Sequence, residues 1–141
     1  LGLGITQMRG AVASAPPPGT ERVQNGDFSS DTGWSGANWT IAAGVATNND
    51  PGSLTNVLAT PLSGGESFEL SIDVTANPLN SGLIVRLANS TGTPAFQTIY
   101  SADGMAGTKT ASGTVGGVYD WLVIISADDA GMVIDNVSLI A

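Results

Sequence analysis

The chain has 141 residues, with four basic and 12 acidic side chains, a net charge of −8, and neither cysteine nor histidine. Disulfides, thiolate or imidazole metal centres, and Ser-His-Asp or Cys-His catalysis are thereby excluded. The basic residues Arg9, Arg22, Arg86 and Lys109 are too few and too scattered to displace the counterions of a nucleic acid, while 42% hydrophobic content with 11% charge describes a folded domain rather than a disordered polar chain.

Residues 1–20 differ in texture from the rest. They are nearly free of charge and end in Pro16, Pro17, Pro18 and Gly19, a run whose fixed φ favours an extended polyproline path. Leu1, Leu3 and Ile5 alternate with Gly2 and Gly4, a pattern suited to adding an edge strand to a neighbouring chain, and Met8 extends the apolar set. Arg9 follows the apolar residues instead of preceding them, unlike a secretory signal peptide. The expectation is an extended N-terminal docking arm and spacer over 1–20, followed by one domain over 21–141.

From Glu21 onward, short β-prone segments are punctuated by turn residues, and the spacing predicts an all-β fold without a long helix. Trp39, Ile41 and Ala43 alternate before a turn at Gly44. Phe68, Leu70, Ile72 and Val74 share one face of a strand whose other face carries Glu69, Ser71 and Asp73. Leu83–Ala88 and Tyr119–Ser126 are more uniformly apolar, as in strands covered on both faces or facing a partner. Turns are expected at 49–52, 63–65, 77–78, 90–92, 116–117 and 128–131, where Gly, Asn, Asp and Pro supply the required φ values. The longest apolar stretch, Trp121–Ile125, is far short of a membrane-spanning helix. About nine strands result, in a two-sheet antiparallel jelly-roll sandwich.

Two motifs bracket this domain: Asn25-Gly26-Asp27-Phe28 with Gly33-Trp34 at its start, and Ile134-Asp135-Asn136-Val137-Ser138-Leu139 at its end. Together they resemble carbohydrate-binding modules of the galactose-binding-like jelly-roll superfamily, across residues 21–141. Members of that superfamily occur in glycosidases, bacterial surface proteins and phage virion proteins, so the resemblance speaks to fold more than to function.

In a regular closing strand, Asp135 has the parity of Val133, Val137 and Leu139 and points toward the core. A carboxylate there needs a cation, an arginine or backbone N–H groups. The resemblance implies a structural calcium where the first and last strands meet, with Asp135 and Asp27 or Glu21 as oxygen ligands. The alternative is that Asp135 accepts hydrogen bonds from the 25–28 turn without metal.

Sugar binding needs exposed aromatic faces. Phe28, Trp34 and Phe68 are expected in the core, and of the remaining rings Tyr100 and Trp121 are the candidates for a glycan platform. The carboxylates show no pairing signature of a glycosidase, so no enzymatic activity is expected. Two functional expectations remain. In the first, the chain is a structural virion protein, a capsid decoration on the head surface of a tailed phage. It docks through Leu1, Leu3, Ile5 and Met8 and associates with copies of itself as a trimer or other cyclic oligomer. In the second, it is an extracellular carbohydrate-binding module directed at a polysaccharide or cell-surface glycan.

Overall fold

In the computed structural model, which describes residues 19–92 and 96–141, every regular element is a strand. In chain order these are β1 (Trp34–Ser35), β2 (Trp39–Ala42), β3 (Val45–Asn48), β4 (Gly52–Leu62), β5 (Ser67–Ala76), β6 (Gly82–Ala88), β7 (Phe96–Asp103), β8 (Gly107–Thr114), β9 (Tyr119–Ser126) and β10 (Val133–Ile140). They form two five-stranded sheets of order β1-β4-β9-β6-β7 and β2-β3-β10-β5-β8. Every pairing is antiparallel, and the crossovers between sheets make a jelly-roll sandwich. The ten strands exceed the expected nine because β1 is only two residues long.

Alternation builds the core. Phe68, Leu70, Ile72 and Val74 of β5 turn inward against Leu83, Val85 and Leu87 of β6 and Leu122 and Ile124 of β9, all buried. Phe28 and Trp34 are likewise inside, with ring centroids 4.9 Å apart. Ala43 and Gly44, with φ of 54° and 76°, make the two-residue reversal between β2 and β3 whose handedness suits strand twist.

The two ends of the domain are laced together. Thr20 and Ala141 exchange backbone hydrogen bonds, Arg22 N–H donates to the Leu139 carbonyl, and Val137 N–H donates to the Gly26 carbonyl. Gly26 is required by this closure, because a methyl group there would run into the Val137 carbonyl oxygen. Residues 1–18, with the expected docking positions Leu1, Leu3, Ile5 and Met8, lie outside the described residues.

One expectation about β10 is overturned. Its pairing with β5 slips between Asp135 and Ser138, where Asn136 has a φ of 46°. This bulge inverts the parity of the strand. Ile134, Val137 and Leu139 face the core, whereas Asp135 lies opposite Asp73 on the outer side, only partly buried. Its carboxylate accepts the N–H of Asn136 at 2.7 Å, not a donor from the 25–28 turn.

Candidate functional site

The uniformly apolar strands β6 and β9 lie in the middle of the first sheet, with one side in the core and the other turned outward. The register aligns their outward residues with those of β4 and β7 in three rows. Val57, Trp121, Ala88 and Phe96 make the first, Thr55, Val123, Arg86 and Thr98 the second, and Ser53, Ile125, Ile84 and Ser101 the third. Four strands at the usual spacing of about 4.8 Å make each row roughly 14 Å wide. No acidic side chain occurs among these twelve positions. Asp103, opposite Gly82, borders the face beyond the third row.

Trp121 stands near the middle of the first row, partly exposed. The other two tryptophans are core residues with satisfied indoles: Trp34 donates to the Asn25 carbonyl at 3.0 Å and Trp39 to the Gly52 carbonyl at 3.2 Å. Among the described residues the Trp121 indole N–H has no such acceptor. An aromatic surface with an unengaged polar edge results, suited to stacking on an apolar sugar face while donating to a hydroxyl. Phe96, at 52% exposure, extends the aromatic row, and the Arg86 guanidinium lies 4.3 Å from its ring centroid.

The second expected platform residue does not join the first. A bulge between Val85 and Arg86 places Tyr100 opposite Val85, on the core-facing side of β7, where it is half buried against the core. Phe96 takes the place expected of it. Sequence alone does not reveal this, because the register shift in β7 decides which of its aromatic residues faces outward.

The start of β9 is pinned beside this face. Asp120 accepts the backbone N–H of Ser90 at 2.7 Å and also its hydroxyl, and Asn89 donates to the Val118 carbonyl at 2.8 Å. The Ser90 hydroxyl is the main reason that the Asp120 carboxyl titrates below its usual range.

The expected calcium ligands are separately engaged. Glu21 accepts the backbone N–H groups of Val23 and Leu139, each at 2.9 Å, and the Ser138 hydroxyl at 2.6 Å. Asp27 accepts the backbone N–H and hydroxyl of Ser29, which lower its pKa, in that order. With Asp135 turned outward, the three share no cluster, and no group of three or more acidic side chains converges among the described residues.

Two concavities lie elsewhere. A groove of about 640 Å³ on the outer side of the second sheet is lined by Glu69, Ser71, Thr110, Ser112, Ser138 and Ile140, without an aromatic ring. A smaller hollow of about 160 Å³ is lined by Asp31, Trp34 and Trp39, whose indoles are buried and already hydrogen-bonded. Neither offers an open aromatic surface.

The fold is similar to that of the family 29 carbohydrate-binding module, with a TM-score of 0.60 at 13% identity over 86% of each chain. A lysine-to-alanine variant of that module complexed with cellulohexaose gives 0.59 at 13% identity, over 86% of this chain and 88% of the other. An aspartate-to-alanine variant complexed with mannohexaose gives 0.58 at 14%, over 86% and 89%. At such identities the likeness is one of fold. No protein-family model and no curated protein matches the sequence.

Proposed function

We propose that the chain is a non-catalytic carbohydrate-binding module whose ligand lies across the outer face of the β1-β4-β9-β6-β7 sheet. The observation that carries this reading is the placement of Trp121, the solvent-facing tryptophan, among flat apolar and hydroxyl-bearing neighbours on a rigid central strand. One pyranose ring packs its C–H face on the indole, and the hydroxyls of Thr55 and Thr98 in the adjoining row meet sugar hydroxyls. Because β9 is hydrogen-bonded on both sides, by β4 and β6, the platform exists before the ligand arrives and little ordering entropy opposes binding. The fold shared with modules seen bound to cellulohexaose and mannohexaose supports the reading. The face has no pair of carboxylates flanking a sugar, as glycoside hydrolysis requires. An extracellular place of work goes with this function, since that is where polysaccharides are met.

The virion reading rests on the arm, which lies beyond the described residues, and the cyclic oligomer on the low charge and the two-faced apolar strands, whose outward row is read here as the glycan face.

Affinity electrophoresis through gels containing glucan, mannan, galactan or polyuronate tests the proposal. Retardation in at least one gel, abolished in Trp121→Ala and kept in Tyr100→Ala, is the expected result. Free migration in all gels, or retardation indifferent to Trp121, overturns it.

A further inference from the structure

Among the described residues Arg86 has no anionic partner, on a protein with eight more acidic than basic side chains. Of the basic residues in the described part of the chain, Arg22 is bound to Glu66 and to main-chain carbonyls, and Lys109 pairs with Asp103 at 3.6 Å. Arg86 makes no ion pair among the described residues, and its Nε is withdrawn from solvent without an acceptor. The side chain is held in place by the Phe96 ring and lies between Val123 and Thr98 in the row next to Trp121.

A partly desolvated guanidinium loses hydration, and here the Phe96 ring returns part of it while no protein acceptor takes up its N–H groups among the described residues. Its flat fork of N–H donors matches a carboxylate in two parallel bonds, each charge-assisted and stronger than a bond to a neutral hydroxyl. The absence of acidic side chains from the three rows leaves that fork open to an anion brought by a ligand. We infer that the glycan carries carboxylate groups: a uronic-acid-containing polysaccharide, with one ring on Trp121 and a carboxylate on Arg86. This rests on the proposed glycan face and specifies its ligand class.

The test compares polygalacturonate and alginate with their methyl-esterified forms, which keep the backbone and mask the charge, and includes cellulohexaose and mannohexaose as neutral probes. Calorimetric titration of the full chain is expected to give at least tenfold tighter binding to an acid form than to its ester. Arg86→Gln is expected to remove that preference, and Arg86→Lys to keep part of it, because a point charge cannot form the paired bonds. The comparison between acid and ester on the unaltered protein needs no variant to fold. Equal binding of acid and ester, or binding of the neutral hexaoses alone, overturns the charge inference and leaves the glycan face standing. If no probe binds, the glycan reading fails with it.

Discussion

The Arg22 guanidinium donates to the Glu66 carboxylate at 2.9 Å from a nearly buried position. The same group donates to the Ala141 carbonyl at 3.1 Å and to the Pro61 carbonyl at 3.0 Å, and Glu66 in turn accepts the Ser63 N–H. One side chain thus joins the first described segment, the last residue, the end of β4 and the loop into β5. Removing it strands a partly buried carboxylate and several carbonyls. Arg22→Ala is expected to cost roughly 1–3 kcal/mol, the usual penalty for leaving partly buried acceptors without their donor. Urea denaturation monitored by tryptophan fluorescence measures it, and a change under 1 kcal/mol would show that the staple is dispensable.

Gly26 and Gly64 make a matched pair of tests. A Cβ on Gly26 meets main-chain atoms of Val137, which cannot move without opening the closure of the two chain ends. At Gly64 the nearest atoms are 3.6 Å away, an ordinary contact. Gly26→Ala is expected to lose about 1–3 kcal/mol, as overpacking does, and Gly64→Ala to stay within about 0.5 kcal/mol. Equal effects in the same denaturation experiment would contradict the close approach.

Acid will weaken the fold in a defined direction. Asp73 is held below its ordinary value of 3.8 chiefly by the Asn136 side-chain amide and then by the Thr108 hydroxyl, and Asp120 by Ser90. With native pKa values below the unfolded ones, these carboxylates bind protons less readily in the folded chain. Their stabilisation is complete above the unfolded value and is lost as pH falls through the native ones. Melting temperature is expected to be level from pH 7 to about 5 and to drop below about pH 4. Asp73→Asn, which removes one titrating group, makes that drop shallower. An unchanged acid profile in the variant would show that the Asn136 and Thr108 bonds carry no linkage.

Where alternation was regular, the fold was legible in the residues. The Phe68-to-Val74 pattern reports a half-buried strand directly, and the apolar texture of Leu83–Ala88 and Tyr119–Ser126 reports strands with something to cover on both faces. Bulges erased that legibility. Asp135 exchanges the core for the outer side because Asn136 takes a left-handed φ, and Tyr100 leaves the side it would share with Phe96 because β7 slips against β6 between Val85 and Arg86. A single extra residue flips every side chain beyond it, and no composition or periodicity signal marks where it falls. The Trp121 platform was accessible to sequence reasoning because its strand is regular around it. Arg86 was not, since its place beside that platform depends on pairing between β6 and β9.

Trp121 is partly exposed while Trp34 and Trp39 are buried, so acrylamide quenching of the native chain reports chiefly on Trp121. Quenching should be followed as cellulohexaose, mannohexaose and oligogalacturonate are added to the full chain. Saturable protection by at least one of them, absent in Trp121→Phe, is the result predicted for a glycan seated on the indole. Quenching unaltered by all three, or altered equally in Trp121→Phe, would contradict a carbohydrate-binding face at this position.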